Sequence, residues 1–336
     1  MQSSEFRYHT TTGEWVLINS KRDKRPNELK KKKVFKRKPS PINSCPFENP
    51  QKNGNRSPYF WFPEKLPLKN WQLQIVENKF PAVYDDPKSS VKIEKKGIYE
   101  TIPGFGYHDL LITRDHFKSF PDLSNQQGLD VLLAFQKRYR QLALDKRVKY
   151  ISLFNNWGAQ AGASIFHPHY QILALPVVSH TIRRSLDSSF EHNKKHHRCI
   201  HCEIIKREAS DKKRIVFQNK KVIAFTPFAS KEPFQINIFL KKHSAYFEDE
   251  SLVNLSWMSK TLKQVLGFLK KKINDPDYNF FIHTAPVFQK NKHFHYHWHI
   301  EVVPKSNISA GFELGTGVEI NSVFPEEAAR ILRKSI

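Results

Sequence analysis

Two stretches of the chain, residues 45–176 and 199–304, run through the same features in the same order. The first opens on "CPFENP", passes "NKFPAVY" and "HDLLITRDHFKSF", enters a helix at "SNQQGLDVLLAFQKRYRQLAL" and closes on "YISLF" and "FHPHYQILALP". The second opens on "CIHCEI", passes "NKKVIAFTPF" and "FQINIFLKKHSAYF", enters "SLVNLSWMSKTLKQVLGFLKK" and closes on "YNFFIH" and "YHWHIEVVP". The spacings agree too: Ser124 and Ser251, both suited to cap a helix, each lie eight residues after a histidine, His116 and His243. His116 to His167 is 51 residues, and His243 to His297 is 54. Helical periodicity follows both serines, through Leu129, Leu132, Leu133 and Leu142 in one copy and Leu252, Leu255, Leu262, Leu266 and Leu269 in the other. Such a duplication predicts an α+β fold of two tandem strand-rich units with packed helices. The domains divide as 1–178 and 179–336, with the polar, basic stretch 177–198 serving as a connecting helix or linker.

The end of each copy carries polar groups that a buried strand does not need. In "SIFHPHYQILALP" the period of a strand puts His167, His169 and Gln171 on one face and Phe166, Pro168 and Tyr170 on the other. In the second copy Cys199 and Cys202 at C-x-x-C spacing join His243 and His297 in a Cys₂His₂ set, the soft sulfur and imidazole donors that suit zinc. The equivalent positions of the first copy are Cys45, Glu48, His116 and His167, with a carboxylate replacing one thiolate. The alternative is a buried Cys45 that serves as a small hydrophobe and a Glu48 on the surface.

With His167 assigned to a metal, His169 is left for chemistry. A neutral imidazole can attack an activated phosphoanhydride and carry the nucleotidyl group as a phosphoramidate. Gln171 can donate an amide N–H to a phosphate oxygen without supplying a proton. Upstream, "NNWGAQAGAS" contributes Gly158, Gly162 and Ser164, small residues that let a phosphate come close. The four alternating histidines of "HFHYHWHIE" offer a second place for a nucleophile, at His297. The missing glycine–serine lead and the equivalence of His297 to His167 argue against it.

Charge narrows the partner. Fifty-five Lys and Arg against 32 Asp and Glu leave +23, which calls for an anion: nucleic acid, an acidic membrane surface or a phosphorylated small molecule. The basic run "LKKKKVFKRKPSP" reads as a solvated arm, with an RNA- or phosphate-binding tail as the sharper alternative. No apolar run approaches the roughly 18 residues of a membrane span, and no leader pattern opens the chain. Three cysteines are too few for a disulfide framework, so a reducing, cytoplasmic location is expected.

The run F-x-N-x-G-x-x-x-G-x-S-x-x-H-P-H-x-Q from Phe154 to Gln171 resembles the active-site signature of the galactose-1-phosphate uridylyltransferase family, a branch of the histidine-triad superfamily. "RYHTTTGEWVLINSKRDKRP", "TPFASKEPFQINIFLKKH" and "AGFELGTGVEINSVFPEEAARILR" extend the resemblance over nearly the whole chain. It implies two histidine-triad-like domains, each an antiparallel sheet with packed helices. It also implies a UMP exchange between UDP-glucose and a hexose 1-phosphate, typically galactose 1-phosphate, through a uridylyl-His169 intermediate. Arg22 and Arg25 then match positions for nucleotide and phosphates, Asn78 for the nucleoside, and Asn156, Gly162, Ser164 and Gln171 for the phosphate side. Phe312 and Glu313 match positions that reach the hexose across a homodimer interface. The metals would be zinc, with iron an option at one site. Neither membrane nor nucleic acid is expected as a partner. Members of the same fold that use ADP-sugars or diadenosine polyphosphates share the H-P-H-x-Q core, and a basic relative that binds nucleotides or nucleic acid without turnover is the non-enzymatic alternative. A hydrolase is disfavoured by Gln171 where a third histidine would stand.

Overall fold

The computed structural model describes residues 4–24, 37 and 39–333. Its strands are β1 (Ser4–His9), β2 (Glu14–Asn19), β3 (Phe60–Phe62), β4 (Leu73–Glu77), β5 (Glu94–Lys96), β6 (Tyr99–Thr101), β7 (Tyr107–Thr113), β8 (Tyr150–Trp157), β9 (His169–Leu175), β10 (Ile215–Gln218), β11 (Val222–Phe225), β12 (Ile236–Leu240), β13 (Tyr278–His283), β14 (His299–Pro304) and β15 (Glu319–Asn321). The helices are α1 (Asn125–Leu142), α2 (His180–His196), α3 (Ile200–Asp211), α4 (Leu252–Lys272), α5 (Gly311–Thr316) and α6 (Pro325–Arg333). Among the described residues no helix is long and apolar enough to cross a membrane.

The expected duplication is visible as strand order. One antiparallel sheet runs β10-β11-β12-β14-β13-β8-β9-β7-β4-β3, so the strand order of one half recurs, reversed, in the other across the β13–β8 pairing. That central seam pairs Asn279 with Asn156 and Phe281 with Phe154. The proposed domains 1–178 and 179–336 divide this sheet at the seam, while a small second sheet, β1-β2-β15, ties the N-terminal hairpin to the C-terminal segment by a parallel pairing.

Local chemistry explains the two long helices. Ser124 Oγ accepts from Gln127 N–H (3.1 Å) while the Gln127 side chain accepts from Ser124 N–H (2.9 Å), and Ser251 Oγ accepts from Asn254 N–H (3.2 Å). Each serine thus satisfies an amide that the first helical turn leaves without a partner. The apolar stripe of α1 buries Val131, Leu132, Phe135, Tyr139 and Leu142, and that of α4 buries Leu255, Met258, Leu262, Val265, Leu266 and Leu269. Each such side chain contributes about 1.5–3 kcal/mol of hydrophobic stabilisation. The helices pack on one another at Gly128, where an added Cβ would lie 2.8 Å from Ser259 Oγ. Leu252, read as part of the stripe, is exposed because it opens the first turn, ahead of the packed face. The stretch expected to connect the copies forms α2, capped by Ser179.

Candidate active site and metal centres

Strand β9 begins at His169, and the chain on either side of that ring is tied down. Asn155 Nδ2 donates to the His169 carbonyl at 2.7 Å, and Thr113 Oγ1 donates to the Pro168 carbonyl at 3.2 Å. The ring itself is nearly enclosed, with Phe47 edge-on at 5.1 Å between centroids. His169 Nδ1 donates to the His167 carbonyl at 2.9 Å. A carbonyl can only accept, so the proton belongs on Nδ1 and Nε2 keeps its lone pair. Burial lowers the pKa of His169 and favours this neutral form.

Gln171, two residues on and on the same face, has its amide orientation set by a residue that sequence reasoning passed over. Ala82 N–H donates to His108 Nδ1 at 3.0 Å, which leaves the His108 proton on Nε2. That N–H donates to Gln171 Oε1 at 2.9 Å. With its carbonyl engaged, Gln171 has its amide N–H groups left to donate. Asn78 sits beside the same imidazole, its Nδ2 3.2 Å from His108 Nε2, and its own Oδ1 accepts from Phe80 N–H at 3.0 Å.

The loop leading to His167 is held from the other half of the molecule. Gly158 has φ +87°, and a Cβ there would fall 2.0 Å from Asp277 Oδ1, so only glycine fits. Asp277 Oδ2 accepts from Gln160 N–H at 2.9 Å, and Asp277 Oδ1 accepts from Arg37 Nε at 2.7 Å. Asn279 Nδ2 donates to both Asn156 Oδ1 and the Ala161 carbonyl at 2.8 Å. Gly162 closes the turn at φ +88°, and Ser164 stands exposed beyond it. Asn156 is therefore built into the support of this loop. Arg22 lies half-buried in the 3₁₀ turn Ser20–Lys24. Arg25 and most of the basic run lie outside the described residues. Phe312, exposed, and Glu313, whose carboxylate accepts from Ala310 N–H at 3.0 Å, sit on α5 between β14 and β15. The hydrogen-bond and ring partners of His169, namely the His167 carbonyl, Asn155 and Phe47, do not include them.

Both expected metal sets come together. The donor atoms of Cys45, Glu48, His116 and His167 lie within 4.8 Å of one another, as do those of Cys199, Cys202, His243 and His297. Cys45 Sγ is 3.6 Å from His167 Nδ1, and Cys202 Sγ is 3.4 Å from His243 Nδ1 and 3.6 Å from His297 Nδ1. A zinc tetrahedron with Zn–S of about 2.3 Å and Zn–N of about 2.0–2.1 Å has an S···N edge of about 3.5 Å. Glu48 Oε1 stands 3.0 Å from His116 Nδ1 and 3.3 Å from His167 Nδ1, close to the corresponding O···N edge, so the carboxylate completes the first set. Three of the four imidazoles donate Nε2–H to a backbone carbonyl: His116 to Ser40 (2.9 Å), His167 to Thr113 (2.6 Å) and His243 to Phe294 (2.7 Å). Each bond fixes the tautomer with the Nδ1 lone pair facing the cluster, the outer-shell arrangement a metal-binding histidine needs. Hydrogen bonding to Cys202 drives Cys199 toward thiolate, and Cys202 is pushed up by the same bond. A divalent ion held here would favour both thiolates.

The second half repeats the strand geometry around a different centre. His299 Nδ1 donates to the His297 carbonyl at 3.1 Å, as His169 does to His167, so His299 is the counterpart of His169 and Glu301 that of Gln171. Sequence reading aligned His297 with His167 and stopped there; the H-W-H-x-E run was the available signal.

Comparisons with known proteins agree with this architecture. Residues 1–179 match the family model for galactose-1-phosphate uridyl transferase, N-terminal domain, and residues 198–309 match that for scavenger mRNA decapping enzyme C-term binding. An ADP-glucose phosphorylase of Arabidopsis thaliana is 35% identical over 335 residues, covering 99% of this chain and 93% of the relative. A galactose-1-phosphate uridylyltransferase of Thermotoga maritima is 27% identical, covering 98% of each chain. The crystal structure of an Arabidopsis thaliana ADP-glucose phosphorylase with bound ADP-glucose superposes with a TM-score of 0.86 at 33% identity, covering 100% of this chain and 99% of that one. A uridylyltransferase structure gives 0.73 at 27% identity, covering 98% and 97%. With the duplicated fold, the H-P-H-x-Q strand and both donor clusters in place, the chain belongs to the galactose-1-phosphate uridylyltransferase family, within the histidine-triad superfamily.

Proposed function

We propose that the protein is an ADP-glucose phosphorylase that moves the adenylyl group through His169. Nε2 of His169 attacks the α-phosphorus of ADP-glucose, an N–P bond forms, and the bond to the β-phosphate oxygen breaks to release glucose 1-phosphate. An oxygen of inorganic phosphate then attacks the same phosphorus, the N–P bond breaks, and ADP leaves. The observation that carries the chemistry is the 2.9 Å bond from His169 Nδ1 to the His167 carbonyl, which fixes the tautomer and aims the Nε2 lone pair, while burial keeps the ring neutral. Gln171 donates to a phosphate oxygen while the charge moves. Adenosine over uridine rests on the relatives: 35% identity to an ADP-glucose phosphorylase against 27% to a uridylyltransferase, and TM-scores of 0.86 against 0.73. The family match itself favours a second reading, UMP transfer from UDP-glucose to galactose 1-phosphate through the same histidine.

In either reading Arg22 and Arg25 are assigned to the phosphates, Asn78 to the nucleoside, and Asn156, Gly162 and Ser164 to the phosphate side. Phe312 and Glu313 are assigned to the hexose from a second copy of the chain. Zinc at the two clusters would fix the loops that carry Cys45 and Cys199 and orient His167 beside the nucleophile, with iron an option at one cluster. The test is intact-protein mass spectrometry after mixing with ADP-glucose or, separately, UDP-glucose. An AMP adduct, discharged by inorganic phosphate with formation of ADP, is the expected result. A UMP adduct alone selects the second reading, and no adduct with either donor refutes both.

A further inference from the structure

His108, half-buried on β7, makes three bonds that join two parts of the first half. Its carbonyl accepts from Asn78 N–H at 2.9 Å, its Nδ1 accepts from Ala82 N–H at 3.0 Å, and its Nε2 donates to Gln171 Oε1 at 2.9 Å. Residues 78–84 leave the end of β4 and return through Tyr84, whose N–H donates to the Gly104 carbonyl at 3.1 Å. Between those ends the imidazole ties Ala82 to the sheet. The ring also gives Gln171 a direction. The donor and acceptor ends of an amide have nearly the same shape, so its neighbour decides which end faces away. Because Ala82 N–H takes up Nδ1, the proton stands on Nε2 and meets the carbonyl end of Gln171. The polarity thus runs one way, from a loop amide, through the ring, to the free N–H groups of Gln171.

The second half repeats this relay with other residue types. Gln235 stands two residues before Asn237, which pairs with Glu301, just as His108 stands two before Leu110, which pairs with Gln171. Gln235 Oε1 accepts from Lys231 N–H at 2.7 Å, in the segment after β11 that corresponds to the one after β4, and Gln235 Nε2 donates to Glu301 Oε1 at 2.5 Å. A loop amide, a bridging side chain and the residue two places beyond a strand histidine therefore meet in both copies, although none of the three residue types is shared. In the second copy the relay borders a cavity of about 610 Å³ with a closed aromatic wall, where Phe239 is stacked between Phe225 and His299. The cations there are ion-paired: Lys231 with Glu14, Arg214 with Glu208 and Glu326, and Arg207 with Asp211.

We propose, on the reading that His169 carries the nucleotidyl group, that His108 is a positioning residue for the transfer. It sets the amide of Gln171 and residues 78–84 as one unit, so the segment assigned to the nucleoside and the donor assigned to the phosphate are placed together. His108 acts through Gln171 and not on the phosphorus itself.

The test is steady-state kinetics of the full chain with ADP-glucose and inorganic phosphate, or with UDP-glucose and galactose 1-phosphate if the chain takes only UMP. His108→Met fills the space without either polar atom, and it should lower kcat about tenfold and raise the KM for the nucleotide sugar about fivefold. His108→Gln puts the bridging side chain of the second half at the same place, and it should recover both constants to within about threefold of the unaltered chain. In a Gln171→Ala chain, His108→Met should lower kcat by less than about twofold more while still raising KM, because no amide is left to position. An unchanged kcat in His108→Met, a His108→Gln chain as slow as His108→Met, or the same kcat loss with and without Gln171 overturns the proposal. If His108→Met fails to fold, nitrogen NMR of the histidine rings in the unaltered chain decides, with the His108 signal identified by its loss in His108→Gln. A proton on Nε2 supports the relay, and a proton on Nδ1 overturns it. An unaltered chain that takes a nucleotidyl group from neither donor overturns the functional reading and the relay together, whereas an active chain whose variants do not separate overturns the relay alone.

Discussion

In the first half His169 has the amide of Gln171 as its neighbour, with His108 holding the amide's carbonyl; in the second His299 has the carboxylate of Glu301, held by Gln235 and His283. The backbone that presents the two imidazoles is the same, down to the bond from Nδ1 to the carbonyl two residues back. The difference lies in what surrounds them. The first has a glycine-bearing loop braced by Asp277 and Asn279, and the second a closed aromatic wall with ion-paired cations. A duplicated fold can thus keep a reactive geometry and switch its chemistry through the charge of one neighbouring side chain.

The comparison extends to the metal clusters, where the largest effects are expected. The second cluster has two cysteine sulfurs and the first only one, with Glu48 in the other place. Thiolate is the stronger partner for zinc. Elemental analysis should find two equivalents of divalent metal, and a graded chelator should remove the first-half ion before the second. Cys199→Ser and Cys202→Ser should each lose one equivalent and most of the folded protein, since a structural ion is part of the folding free energy. A metal-free protein that stays folded and active would remove both clusters from the argument.

The next effect breaks the symmetry of the imidazoles. His169→Ala should lower nucleotidyl transfer by roughly 10³-fold or more, because no phosphoramidate can form. His299→Ala should leave transfer within about threefold, since its ring faces a different cavity. Comparable losses in the two variants, followed by single-turnover release of glucose 1-phosphate, would mean that the halves are not chemically distinct.

Gln171→Glu imports the charge of the second half into the first. A carboxylate beside the phosphate oxygens should cost roughly 10²-fold in kcat, comparable to removing a donor from an oxyanion site. The change should leave the fold intact, because His108 can still donate to the new side chain. An unchanged kcat would show that charge at this position does not distinguish the halves.

Much of this contrast was legible before any coordinates. The repeat order, the caps at Ser124 and Ser251 and both four-residue donor sets are local or evenly spaced patterns, and duplication lets one copy check the other. The bracing of the site was not legible. His108 reaches Gln171 across 63 residues, Asp277 reaches Gln160 across 117, and Asn279 reaches Asn156 across 123. The first of those meetings depends on β7 pairing with β9 and the other two on β8 meeting β13 at the central seam, and no periodicity encodes those choices. The parallel pairing of β15 with β2, which carries the C-terminal segment back to the N-terminal hairpin, was hidden for the same reason.

The smallest predicted effect concerns a charge that the second half carries at a cost. Glu232 is half-buried, its Oε2 is enclosed without a hydrogen-bond partner, and its pKa is pushed up to about 7 by desolvation, with Lys305 opposing and Glu319 adding to the shift. A carboxyl whose folded pKa lies above its unfolded value favours folding while protonated, so its contribution is fully present below about pH 4.5 and is lost as pH rises through about 7. At pH 8 the folded state therefore holds a carboxylate that water would solvate better. Glu232→Gln keeps the shape and removes the charge, and it should raise stability at pH 8 by about 1–3 kcal/mol, a gain of a few °C in Tm. Near pH 4.5 the two proteins should melt together within about 0.5 kcal/mol, because the glutamate is then largely protonated in the folded chain. Melting curves at the two pH values separate this from a simple packing gain, which would appear equally at both.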